Sequence, residues 1–185
     1  MPASLYEHAL IEKCCDGDRA AYRELYDRYA GELLAIAMRY MKTKQAAEDV
    51  LQESFIKVFK NLAYFDKRAA LKTWLTRIVI NTALNMLRKE YQHDNWDLTE
   101  VTDNEAGSFP FAAYQINELI AFIQQLPSGC QSVFNLYAIE GYSHKEIADM
   151  LNIKEGTSKS QYHRAKTLLQ EFIVSEDERT KIKVL

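Results

Sequence analysis

Glycine and proline are nearly missing from this chain. Its 185 residues hold six Gly and three Pro, about 5% of the total where about 12% is usual. Residues 32–106 contain neither. Tight β-turns draw on both residues, so a hairpin-rich β fold is excluded and the prediction is all-α. Cysteine is also scarce: Cys14, Cys15 and Cys130. An odd number with an adjacent pair and no C-x-x-C makes no disulfide framework, which predicts a reduced, intracellular setting. Long apolar runs are absent; the longest, residues 33–38, falls far short of the about 18 residues a membrane span needs. Residues 1–13 lack the basic start and apolar stretch of a signal peptide. The expectation is a cytoplasmic protein with no direct membrane insertion. Charge of one sign is lacking too: 23 Lys and Arg stand against 26 Asp and Glu, a net −3. That argues against a basic coat on DNA or on an anionic membrane, although a net figure hides where charges sit. Hydrophobic content of 48% is enough for a packed core and excludes global disorder.

What is present is helical periodicity. Tyr22, Leu25, Tyr26, Tyr29, Leu33, Ile36 and Tyr40 recur at steps of three and four, which places them on one stripe. Val50, Leu51, Phe55, Val58, Phe59 and Leu62 make a second stripe, and Leu71, Trp74, Leu75, Ile78, Thr82 and Met86 a third. With a shorter helix around residues 5–14, these predict one helical domain over residues 5–90. Residues 91–112 are acidic, without Lys or Arg, and are broken by Gly107 and Pro110; they predict a linker. A second helical domain is predicted over residues 113–175. Leu126-Pro127 punctuates it, and a helix from Ser128 should stop at Gly141. Ser143 then opens a helix as N-cap, with Glu146 three residues on to complete a capping box.

Three clusters could carry chemistry. Residues 142–169 have a short capped helix, a tight turn and a second helix, the layout of a helix-turn-helix. On the second helix Lys159, Ser160, His163 and Arg164 share one face, and residues 156–170 carry +3 with no acid. These donors suit base edges and phosphates, and the helix start at Ser143 could hold a phosphate. An ordinary hairpin with a solvated basic face is the plainer alternative. Residues 67–89 carry +6 with no acid, with Tyr64, Phe65 and Trp74 interleaved or adjacent, and Asn81 and Asn85 four apart. Cationic grooves with aromatic platforms suit unstacked bases; for Trp74 alone, core packing is an equal reading. Glu48, Asp49, Gln52 and Glu53 sit beside an apolar stripe, which fits an acidic protein-docking face or a merely solvated one. An enzyme using Glu48, Asp49 and Glu53 is a weak third reading, because no His neighbours them and no metal-ligand spacing occurs. The four His are scattered, no phosphate-binding Gly loop or nucleophile elbow is present, and Cys14 and Cys15 read as packing residues. No metal or cofactor is called for.

Two motif blocks carry a family resemblance. One is Ala47-Glu-Asp-Val-Leu-Gln-Glu-Ser-Phe55 with Phe65 and Thr73-Trp-Leu-Thr-Arg-Ile-Val-Ile-Asn81. The other is Leu126-Pro127, Glu140-Gly-Tyr-Ser-His-Lys-Glu-Ile-Ala148, Gly156-Thr157 and His163-Arg-Ala-Lys166. In this order they resemble regions two and four of the extracytoplasmic function (ECF) group of RNA polymerase sigma factors. The resemblance implies a non-enzymatic transcription initiation factor built as two small helical domains on an acidic linker. It implies docking on core RNA polymerase through Glu48, Asp49, Gln52, Glu53 and Phe55. It implies capture of the melted minus-ten promoter element by Lys72, Thr73, Trp74, Arg77, Asn81, Asn85 and Arg88. The duplex minus-thirty-five element would be read by Ser143, Lys159, Ser160, His163, Arg164 and Lys166. An anti-sigma factor is a further implied partner, and the free protein is expected to be a monomer. Four positions depart from the pattern: Gln131 for a usual Arg, Asn152 for a turn Gly, Lys154 at a polar cap position, and Ser158 for a usual Val.

Overall fold

The structure, a computed structural model, describes residues 5–66, 70–90 and 116–183. Among these residues there are helices and turns and no strand. Contacts divide the chain into two compact units between Glu90 and Tyr91. The linker predicted over residues 91–112 lies outside the described residues, as do Lys67 and Arg68.

The first unit holds α1 (Leu5–Cys15), α2 (Arg19–Tyr40), α3 (Lys44–Asn61), a single 3₁₀ turn (Leu62–Tyr64) and α4 (Leu71–Glu90). Asp18 starts α2 by accepting from the N–H groups of Ala20 and Ala21, and Thr43 starts α3 by accepting from that of Ala46. Each cap satisfies donors that the first turn would otherwise leave open. Helices α2, α3 and α4 pack mutually. Their stripes meet through Leu25, Leu33, Val50, Val58, Leu75 and Ile80, all nearly or wholly removed from solvent. Cys14 joins this core, but Cys15 is exposed, so only one of the pair packs. Burial, with the neighbouring Cys15 and Asp18, pushes the Cys14 thiol up to about 11, which keeps it protonated and inert at neutral pH.

The second unit holds α5 (Ile116–Gln125), α6 (Ser128–Phe134), a π-helical turn (Asn135–Ile139), α7 (His144–Leu151) and α8 (Glu155–Lys183). The sequence predicts one α-helix from Ser128 towards Gly141. The structure instead widens the chain after Phe134 into i→i+5 bonding, with the Glu140 N–H donating to the Asn135 carbonyl at 3.0 Å. The inserted residue keeps Phe134, Asn135 and Leu136 buried and leaves Tyr137 at the surface. Gly141, at φ +79°, then ends the segment, and the Tyr142 N–H reaches back to the Leu136 carbonyl at 2.9 Å. A side chain at Gly141 would be strained in this left-handed backbone. Helix α8 continues to Lys183, beyond the predicted domain end at residue 175, with no Gly or Pro after Gly156 to stop it. No described helix is long and apolar enough to cross a membrane.

Candidate polymerase and nucleic-acid interfaces

On α3, Glu48, Asp49, Gln52 and Glu53 lie on the outer side. Local partners hold three of them: Lys44 lies 3.5 Å from Glu48, Gln45 donates to Asp49 at 3.3 Å, and Lys57 lies 2.7 Å from Glu53. Phe55 is different. It is only 3% exposed, with its ring 4.7 Å from Tyr26 and 5.7 Å from Phe59. It belongs to the core and offers no surface to a partner, contrary to the expectation from the motif. The apolar surface beside the acids comes from residues that the sequence reading did not select. Ile56 is 55% exposed and Tyr26 40%, while Tyr22 and Phe59 are half-buried, with ring centres 4.7 Å apart. Asp49 lies three and four residues before Gln52 and Glu53, and these lie four and three before Ile56, so the acids and this apolar side chain share one face of α3.

On α4, Thr73, Arg77, Asn81 and Asn85 are all exposed, and their four-residue spacing makes a stripe along the helix. Arg88 continues it and donates to Asn85 Oδ1 at 3.3 Å. Trp74 is half-buried, its ring centre 5.3 Å from that of buried Phe65. It is thus anchored in the core on one side and accessible on the other. Lys72 is exposed and lies 2.7 Å from Glu32 of α2, an ion pair that sequence spacing could not reveal. Tyr64, in the turn that precedes this segment, is 85% exposed.

In the second unit the capping box is complete. The Ser143 hydroxyl and N–H both donate to Glu146 Oε2, at 2.7 and 2.8 Å, and the Glu146 N–H donates back to Ser143 Oγ at 3.3 Å. A carboxylate therefore already sits at this helix start. That disfavours the phosphate considered for it from sequence, because like charges repel there. Asn152 takes the left-handed conformation, φ 56°, which Asn adopts more readily than most side chains. The turn thereby forms without the usual Gly, and α8 follows it.

On α8, Arg164 and Lys159 are exposed, and Ser160 and His163 are half-buried. Ser160 donates its hydroxyl to the Gly156 carbonyl at 2.9 Å, and Lys159 lies 2.9 Å from Glu155. The Lys159 ammonium holds the Glu155 carboxyl below its usual range. Lys166 lies over the Tyr162 ring, 5.2 Å from its centre. The inner side of α8 carries fully buried Ser158, whose Oγ meets His144 Nδ1 at 2.9 Å. The His144 ring stacks on Tyr137 at 4.2 Å. Burial, then the Lys159 cation, hold His144 below its usual value against the opposing Glu155 carboxylate, which favours the neutral ring. A Val at 158 could not make this bond, which gives that departure from the family pattern a structural role: it joins α7 to α8. Cys130 donates its thiol to Gln161 Oε1 at 2.9 Å inside the same unit. Among the described residues, no group of three His, Cys, Asp or Glu side chains could hold a metal ion.

A helical unit with a polar, partly cationic stripe beside aromatic rings, followed by a unit with the helix-turn-helix layout, has the features of a nucleic-acid-binding protein. The family matches agree. Residues 25–92 match Sigma-70 region 2, and residues 116–169 match Sigma-70, region 4. The RNA polymerase sigma-H factor of Pseudomonas aeruginosa is 33% identical over 177 residues, 86% of this chain and 90% of that protein. The ECF RNA polymerase sigma-E factor of Salmonella typhimurium is 32% identical over 179 residues, 90% of this chain and 93% of that one. Among solved structures, the sigma factor RpoE of Bartonella quintana, crystallised with the anti-sigma factor NepR, shares the fold. Its TM-score is 0.51 at 22% identity, over 82% of this chain and 96% of that one. The chain belongs to the sigma-70 family, in its ECF group, and is a sigma factor of transcription initiation.

Proposed function

We propose that this sigma factor docks on core RNA polymerase through the outer strip of α3, captures the melted minus-ten element on α4, and reads the minus-thirty-five duplex with α8. The observation that carries the reading is the exposed stripe Thr73, Arg77, Asn81 and Asn85, within a run of +6 and beside half-exposed Trp74. Opening a promoter unstacks bases at a cost of a few kcal/mol per extruded base. Amide side chains that pair with base edges, an aromatic face that stacks on them and cations along the strand offset that cost. Phe55 supports the docking strip from beneath, and the contact falls to Glu48, Asp49, Gln52 and Glu53 with Tyr22, Tyr26, Ile56 and Phe59.

Helix α8 presents Lys159, Ser160, His163 and Arg164 to the major groove, with Lys166 towards the backbone, while Ser143 serves as the cap of α7, its hydroxyl and N–H both held by Glu146. Three cationic side chains give modest duplex affinity by themselves. Specific binding then depends on the polymerase holding both units on one promoter, which raises their effective concentration. The net charge of −3 suppresses stray binding to DNA by the free factor. It acts as a monomer without catalytic chemistry of its own, in the cytoplasm where the polymerase works. An anti-sigma factor that covered these strips would silence it; the Bartonella relative is itself held in a complex with an anti-sigma factor, NepR.

The test is reconstitution. The purified chain with core polymerase should start transcription at a defined set of genomic positions that core polymerase alone does not use; no binding to core polymerase overturns the proposal. Arg164→Ala should cost about 1–3 kcal/mol in recognition of the upstream element if the guanidinium grips a guanine in bidentate fashion. Equal activity on promoters with and without that element would remove Arg164 from the role. Asn81→Ala should impair open-complex formation, followed by permanganate reactivity of unpaired thymines, more than it impairs polymerase binding. Normal opening by this variant would take Asn81 out of the site.

A further inference from the structure

The polymerase-docking strip and the base-capturing stripe lie on different helices, and one side chain joins them. Lys57 stands on α3, one turn after Glu53. Its Nζ lies 2.7 Å from Glu53 Oε1 and donates to Thr82 Oγ1 on α4 at 3.1 Å. Thr82 is 2% exposed, and its hydroxyl donates in turn to the Ile78 carbonyl at 2.8 Å. The hydroxyl is thus used in both directions and has one orientation. Thr82 directly follows Asn81 in sequence, so the two point to different sides of α4: Asn81 outward, Thr82 into the α3–α4 contact.

We infer that Lys57 and Thr82 are positioning residues that set the rotation of α4 against α3, and thereby where Asn81 and Arg77 stand relative to the docked polymerase. This rests on the docking and melting roles proposed above. Apolar packing between two helices tolerates small rotations about their axes, whereas a charge-assisted hydrogen bond has a defined length and direction. With side-chain tips about 6 Å from the helix axis, a rotation of about 10° moves them by about 1 Å. A displacement of that size is enough to spoil a positioned contact. The Lys57 ammonium touches neither polymerase nor DNA in this account. It carries the register from one helix to the other, with Glu53 fixing its far side.

Thr82→Val keeps the branched shape and removes the acceptor; Lys57→Met removes the donor and keeps the stem. Each variant of the full chain is assembled with core RNA polymerase and tested on a promoter found by transcript mapping with the wild-type chain. Polymerase affinity and the rate of open-complex formation at saturating polymerase are measured separately. Thr82→Val should slow opening about tenfold with polymerase affinity within about twofold of wild type, because the geometry of capture changes and the docking strip does not. Lys57→Met should slow opening to a similar degree, the double variant should be no slower than either single one, and Thr82→Ser should restore the rate. Wild-type opening by Thr82→Val, an equal loss in affinity and opening, or multiplicative effects in the double variant would each overturn the inference. If the wild-type chain itself fails to bind core polymerase, the docking role falls first and this inference with it.

Discussion

Ile56→Glu is expected to weaken binding to core RNA polymerase by at least about 30-fold, about 2 kcal/mol, while the protein stays folded. Ile56 is 55% exposed in the free chain, so a polar side chain there meets water and the cost to folding stays within about 0.5 kcal/mol. In the docking proposed above, the same position would belong to the covered apolar strip, with Gln52 one turn before it on α3. A carboxylate buried there loses its hydration, which an i,i+4 pair with the exposed Lys60 returns only in part. The nearby acids compound the effect, because Glu53 and Asp49 already load this part of α3 with negative charge. Titration of labelled protein with core polymerase measures the loss, and a thermal melt checks the fold. Undiminished binding would move the docking surface away from the α2–α3 aromatic strip.

Phe134→Ala is expected to destabilise the second unit by about 3–5 kcal/mol. Phe134 is wholly buried at the end of α6, in a cluster with Leu126, Ala165 and Leu169, and its ring stacks on Tyr162 at 6.0 Å. The site collapses poorly, since the π-helical turn begins at the next residue and fixes the backbone. A unit of this size has a stability of only about 3–10 kcal/mol, so the variant should sit near or below its unfolding threshold. Segment-resolved hydrogen exchange tests this: protection should fall over α5–α8 and persist over α1–α4. Uniform loss across the chain would mean that the two units do not unfold independently.

Both variants turn on facts that differ in how far sequence reaches them. The existence of the helices was legible because their apolar spacing is long and regular: the stripe from Tyr22 to Tyr40 predicts α2, and it is there. The capping box at Ser143 was legible because it is a local contact, set by a three-residue spacing. The same holds for the left-handed Asn152. The stripe from Val50 to Leu62 already placed Phe55 inward and left Ile56 off it, as the structure has them. That Tyr26 of α2 lies against Phe55 and remains partly exposed beside it was not legible, because it depends on where α2 crosses α3. Likewise, periodicity predicted an ordinary helix through residues 135–139, and only the competing burial of Phe134, Asn135 and Leu136 in one core makes the widened turn visible.

The amino-acid sequence by itself determined that the chain is all-α, that two cationic runs flank an acidic middle, and that two motif blocks occur in the sigma-factor order. These are properties of composition and near-neighbour spacing, and backbone geometry converts them directly into helices and faces. Tertiary structure alone decided which side chains are surfaces and which are supports. It tied Lys72 to Glu32, joined His144 to Ser158, and ran Lys57 across to Thr82. Each of these contacts lies between residues on different elements, 14 to 40 positions apart where a pair is formed, and only the packing of one helix against another brings such groups within reach.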